Sequence, residues 1–436
     1  MQQNVQLAAT EGGEVSAGIR LLGPTSTYLT LTLLVAALLV NAAIVLVGLP
    51  LTGGVFGRGT HSGAALDYGL RLGDLFDLIA KNLDQGNGYR VEPYMGETML
   101  REPGYPLLIA AVSKIGAHGD QGPRIACILL AFGAALMLLW LTEKITGDRT
   151  IALIAALMFL LYPGTLVAEA RAGNEILCIV TMLLFMLVLY RAVEVGSLWR
   201  YGVAGLLLGV AVLVRSEVLL FPVFLLAYFL VTSKGRAARG TVVLRMAALV
   251  AGTVVAMSPW IIRNYLLVHE FVPTSTLGGV AAQEGLYTCE HLSQFASFSL
   301  AQRGAGRERA EVATQLKLPF EGSYYYQFFY TPQDEMKFNR ALLNHVSEVY
   351  RGDPGVLCSC AAENFFFKFW FLGKTPQATR LNILIQLPLL AFTFGGLIVM
   401  YKLGLLRKAA IILLYVVYIL LIHASIIAHA RHSMLV

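Results

Sequence analysis

The chain has 436 residues, 57% of them hydrophobic and only 14% charged, whereas a soluble domain carries about a quarter charged residues. That deficit excludes a soluble globular protein, a disordered chain and a nucleic-acid-binding domain, and it leaves an all-α polytopic membrane protein. The net charge of +6 fits Lys and Arg gathered in cytoplasmic loops, and the five scattered cysteines make no disulfide framework.

Residues 1–27 are polar and read as a cytoplasmic N-terminal segment. The apolar run 28–50 exceeds the roughly 20 residues needed to span a bilayer, so it reads as a retained signal anchor. Further apolar runs at 124–142, 151–168, 176–192, 201–214, 218–232, 243–262, 381–401 and 409–424 bring the expected spans to about nine. Tyr105–Ile115 is too short to cross about 30 Å of hydrocarbon and reads as a helix at the membrane surface or re-entering it. If it does not cross, Lys144, Arg149, Arg191, Arg200, Lys234, Arg236, Arg239, Arg245, Lys402, Arg407 and Lys408 all fall on the cytoplasmic side. The expected organisation is a transmembrane core over 28–262 with an outer catalytic loop at 51–123, an extracytoplasmic segment at 263–375 and a C-terminal transmembrane hairpin at 376–436. Ionisable residues are scarce inside the spans, which argues against an ion-coupled transporter.

The polar clusters sit between the runs. The first loop carries Asp67, then Asp74, Asp77 and Lys81 on one helical face and Leu75, Leu78, Ile79 and Leu83 on another, the pattern of an amphipathic interfacial helix. Asp74 there either caps the helix or does chemistry. Arg101 opens the short run, where it either snorkels to headgroups or forks onto one phosphate. Glu169, Arg171, Asn174 and Glu175 line the second outer connection, and Arg215-Ser216-Glu217 breaks a long apolar stretch. His423, His429 and His432 lack a tight metal spacing, and Cys358-Ser-Cys360 is too close for an ordinary bridge or a complete metal site. No cofactor is indicated, and metal dependence is left open.

In this order the clusters resemble the GT-C class of polytopic glycosyltransferases, in particular bacterial relatives of dolichyl-phosphate-mannose protein mannosyltransferases and aminoarabinose lipid A transferases. The likeness rests on Phe76 with Ile79-Ala80-Lys81-Asn82-Leu83, Gly86-Asn87-Gly88-Tyr89, Arg101 to Pro106, Tyr162-Pro163 with Glu175, and Pro259 to Tyr265 with Phe271 to Gly279. It covers most of residues 28–279. It implies a bundle with interfacial helices in the first outer loop and a polyprenyl-phosphate sugar donor. An outer-loop aspartate would serve as base, and a basic residue would hold the lipid phosphate. The family's aspartate position falls on Leu72, so Asp74 is displaced by two residues, with Asp67 further away. Relatives continue into more helices where this chain ends.

The expected site is therefore Asp74 or Asp67 as catalytic carboxylate and Arg101, Arg263 and Arg215 at the donor phosphate. Glu175, Glu169 and Tyr105 would bind substrate. The expected partners are the lipid-linked donor, membrane lipid and an acceptor lipid, glycan or protein, at the outer face of the cytoplasmic (inner) membrane. The alternatives are a non-enzymatic polyprenyl-lipid-binding protein and a lipid or sugar transporter.

Overall fold

The computed structural model describes residues 27–48, 75–116, 121–291, 298–322, 327–373 and 375–426. The chain begins with α1 (Thr27–Ala43), which ends in a π turn (Ile44–Gly48). Two short helices follow, α2 (Phe76–Asp84) and α3 (Gly104–Lys114). The bundle then runs through α4 (Gln121–Thr146), α5 (Arg149–Leu161), α6 (Pro163–Ala170), α7 (Glu175–Val195) and α8 (Leu198–Val214). A 3₁₀ turn (Ser216–Val218) leads to α9 (Phe221–Thr232) and the long α10 (Arg236–Val268).

Beyond α10 lies a smaller unit. It comprises α11 (Leu277–His291), α12 (Phe298–Gln315), the antiparallel pair β1 (Phe320–Gly322) and β2 (Gln327–Phe329), α13 (Pro332–Gly352) and α14 (Pro354–Glu363). A π turn (Asn364–Lys368) and the short α15 (Phe369–Phe371) lead to α16 (Pro376–Lys402) and α17 (Leu406–Ser425).

Among the described residues, six helices are long and apolar enough to cross a membrane: α1 with its π turn, α4, α7, α10, α16 and α17. The pair α5 and α6, bent by 45°, could make a seventh, while α8 and Ser216–Thr232 are apolar but shorter. All nine apolar runs of the sequence thus fold as helices. The α5/α6 break has a local cause. Tyr162 precedes Pro163 and takes an extended backbone (φ −64°, ψ 127°), and the proline then opens α6 at a position where its missing N–H costs nothing. The 11 residues of α3 make a rod of about 16 Å, well short of the hydrocarbon thickness.

The tightest helix pair is α8 with α10. Gly205 and Gly209 face the backbone of Leu249 and Thr253, and Gly252 faces the Gly202 carbonyl, so a Cβ at any of these glycines would collide with the opposite helix. Small residues let backbones approach in lipid, where dispersion contacts drive helix association. Around this pair, Phe185, Phe221, Tyr415 and Tyr418 tie α7, α9 and α17 into the main core, with Phe221 packed edge-on against Phe185 and Tyr415.

The two ends of the bundle are distinct. One end gathers Lys144 with Glu194 (2.7 Å), Arg245 with the Gly196 carbonyl (3.1 Å) and the Tyr190 hydroxyl with the Lys408 carbonyl (2.7 Å). The other end gathers residues 97–102, Asn174–Glu175, Arg215–Glu217, residues 263–276 and His423.

One expectation about the cysteines is corrected. Cys289 of α11 and Cys360 of α14 form a disulfide, with Cα atoms 5.6 Å apart. A separation of 71 residues leaves no spacing pattern for a sequence to show. Cys358 is free and exposed, and Cys127 and Cys178 are buried thiols.

Candidate functional site

The site end is organised by the stretch from α2 to α3. Leu75 takes a left-handed backbone (φ 79°) before α2. Its side chain packs with Leu78, Ile79, Tyr89, Val91, Met95, Leu100, Trp260 and Phe328, while Phe76 and Ala80 pack with Tyr105, Ile109 and Cys127. The helix is amphipathic, as its spacing predicts, but its apolar residues are covered by protein and not by the membrane interface expected of them. Gly86 and Gly88 supply the positive φ angles (77° and 88°) that turn the chain, and Asn82 then holds it by donating to the carbonyls of Arg90 and Val91.

The motif pieces interlock here. The Tyr89 hydroxyl is shared between the carbonyls of Arg101 and Glu102, each at 3.0 Å, and its ring meets Trp260 edge-on at 4.9 Å. Burial pushes the Tyr89 hydroxyl well above its ordinary pKa, so it stays a donor. Trp260 Nε1 donates to the Thr274 carbonyl, and Asn264 Nδ2 donates to the Val272 carbonyl. Ser275 then donates to the Glu102 carboxylate at 2.9 Å. Three pieces separated by up to 173 residues of chain are thereby joined around residues 98–102.

Glu335 of α13 closes this clasp from the far unit. Its carboxylate accepts from the Thr98 hydroxyl (2.6 Å), the Met99 amide (3.1 Å) and the Thr276 hydroxyl. Burial pushes its pKa up, against the pull of those donors.

Of the expected phosphate-binding arginines, Arg101 is buried with its guanidinium 5.2 Å from the Phe76 ring centroid. Arg263 lies over Trp260 (4.6 Å) and Tyr89 (5.2 Å), and it donates to Glu97 (3.0 Å) and the Thr98 carbonyl (2.8 Å). Arg215 sits between two carboxylates, Glu217 at 2.5 Å and Glu175 at 3.5 Å, and it also donates to Asn174 at 3.0 Å. His423 Nε2 of α17 reaches the other oxygen of Glu217 at 3.2 Å. The structure therefore brings Glu175 and Arg215 together, and His423, which lacks a tight metal spacing with the other histidines, contacts a carboxylate.

Tyr105 donates its hydroxyl to the Ala172 carbonyl and so braces the connection from α6 to α7. Glu169 is fully buried against Asn41 of α1, whose amide lies 3.3 Å away. Asp67, Asp74, His429 and His432 lie outside the described residues. Among the described residues, no group of three or more His, Cys, Asp or Glu side chains could hold a metal. Glu97, Glu335, Asn41 and Arg124 (below) were not anticipated; each meets its partners across long sequence separations that periodicity does not show.

Residues 101–262 match the model of a family described as dolichyl-phosphate-mannose-protein mannosyltransferase. The match takes in Arg101, Glu175 and Arg215 and stops just before Arg263. A solved archaeal oligosaccharyltransferase, AglB from Archaeoglobus fulgidus in complex with an inhibitory peptide and a dolichol-phosphate, is similar over 94% of this chain, with a TM-score of 0.51 and 14% identity. The fold is of the GT-C type. The chain spans about half the length (49%) of that solved protein. No curated protein matches it. In the GT-C frame, residues 75–106 form an ordered loop at the end of the bundle opposite Lys144, Arg245 and Lys408.

Proposed function

We propose that the chain is a membrane glycosyltransferase that moves a sugar from a polyprenyl-phosphate-linked donor to an acceptor lipid, glycan or protein on the outer face of the cytoplasmic membrane. The observation that carries this reading is the placing of Arg101. It is fixed by the clasp of Tyr89, Ser275 and Glu335 around its neighbours and held over Phe76, two residues beyond Asp74 in the sequence. Sugar transfer from a phosphate leaving group needs the acceptor's proton removed and the departing phosphate's charge stabilised. A carboxylate and a guanidinium at one loop can supply both. Arg263 and Arg215, engaged by Glu97 and by Glu175 with Glu217, support the geometry around that pair.

Donor binding tests this directly. Arg101→Ala removes a charge-assisted contact of about 1.5–3 kcal/mol, so affinity for a polyprenyl phosphate should fall about tenfold or more in a protein that still folds. Unchanged affinity would return Arg101 to headgroup snorkelling.

The outer-face orientation has two supports. The end opposite the site carries the Lys and Arg clusters of the short connections. The Cys289–Cys360 bridge belongs to the unit clasped to the site end, and disulfides persist in oxidising compartments. Gly240 and Gly278 are exposed positions at opposite ends where an added Cβ meets nothing. In a Cys358→Ser background, Gly278→Cys should react with a membrane-impermeant maleimide in intact cells, and Gly240→Cys should react only after lysis. The reverse pattern would invert the topology.

A further inference from the structure

We infer that Arg124, in the first turn of α4, binds the phosphate group of the polyprenyl-phosphate donor; this rests on the reading of the site given above. Arg124 is 7% exposed. Its Nε donates to the Ala170 carbonyl at the end of α6 (2.9 Å), but Nη1 is buried with no hydrogen-bond partner among the described residues. Among the described residues, the ion pairs of the site end join Arg215 to Glu175 and Glu217, Arg263 to Glu97, and His423 to Glu217, and none includes Arg124. One carbonyl does not compensate a guanidinium removed from water, and a buried charge left in that condition calls for a counter-charge. The first turn of α4 is the positive end of a 26-residue helix, so the local field also favours an anion.

The position ties this cation to the proposed donor site. One turn further along α4, the Cys127 thiol lies 3.4 Å from the Tyr105 hydroxyl. The Tyr105 ring packs edge-on against Phe76 at 5.3 Å, and Phe76 carries Arg101 over its face. Arg101 therefore lies directly over the Phe76–Tyr105 pair, and Arg124 lies one turn of α4 from the cysteine that meets that pair. A guanidinium presents a planar fork that suits phosphate oxygens, and α4 continues from it as an apolar helix long enough to accompany a lipid tail into the bilayer.

The test uses the full chain purified in a phospholipid-free detergent, with undecaprenyl phosphate as probe and phosphatidylglycerol as the second arm. Arg124→Met should weaken undecaprenyl-phosphate binding about tenfold or more and leave phosphatidylglycerol binding unchanged. Its melting temperature without ligand should equal or exceed that of the wild type, because an uncompensated buried cation has been removed. Arg124→Lys should retain part of the affinity, since a cation remains without the fork. Three results would overturn the assignment: undecaprenyl-phosphate affinity unchanged in Arg124→Met, a lowered melting temperature with unchanged affinity, or equal losses for both lipids. The second would mark a structural bond to Ala170, and the third a general headgroup site. Failure of the wild type to bind undecaprenyl phosphate would overturn the donor reading itself, whereas binding that survives Arg124→Met removes only this residue.

Discussion

Asp74→Asn should lower turnover of a polyprenyl-phosphate sugar by about 10²–10⁴-fold, the range typical for loss of a general base, while expression stays at the wild-type level. Asp67→Asn should do less. Catalytic groups need supported geometry, because small displacements cost large factors in rate. Asp74 directly precedes Leu75, which is fully buried and packed against Tyr89, Trp260 and Phe328. The chain is thus anchored one residue from the proposed base, and Asp67 lies seven residues further upstream along a stretch containing Gly69 and Gly73. Asp77, on the part-exposed side of α2, is the reserve choice. A dead Asp67→Asn beside an active Asp74→Asn would move the role to Asp67 and leave the enzyme class intact. Full activity in Asp74→Asn, Asp67→Asn and Asp77→Asn alike would remove the class.

The second large effect falls on stability. Arg215→Met leaves Glu175 and Glu217 facing each other without their shared cation, in a place where their side chains are only 4% and 14% exposed. Breaking a buried ion pair from one side typically costs about 3–5 kcal/mol, because the remaining charge has lost its compensation. The purified variant should therefore melt far below the wild type. Adding Glu217→Gln should recover part of the loss, since it removes one of the two stranded charges. His423 and Tyr418 of α17 also hold Glu217, through its carboxylate and its carbonyl, so damage here should loosen α17 from the α8–α9 corner. A melting temperature unchanged by Arg215→Met would show that the corner carries little stability.

The helices were legible because each apolar run is bounded by its own punctuation: Asp148 caps α5 by accepting from the Thr150 and Ile151 amides, and Pro163 starts α6. The short reach of α3 was legible for the same reason, since length alone sets it. The motif pieces were legible as an ordered series, but what each does was not. Tyr89, Trp260 and Asn264 spend their polar atoms on backbone carbonyls that only the folded chain brings near. Glu335 lies 236 residues from Met99, and Cys289 lies 71 from Cys360; no periodicity connects such partners. Arg263 looked like a cation for a phosphate because residue type shows its charge and not Glu97 beside it. Arg124 escaped notice at the head of an apolar run, where a single arginine reads as ordinary flanking charge.

The most direct measurement is the pool of polyprenyl-phosphate-linked sugars, quantified by mass spectrometry in cells that contain the protein and in cells that lack it. Transfer from such a donor predicts that one polyprenyl-phosphate sugar accumulates when the protein is removed and that the same sugar disappears from an acceptor. Wild-type protein should reverse both changes, and the Asp74→Asn variant should reverse neither. An unchanged lipid-linked pool together with unchanged acceptors would contradict the glycosyltransferase.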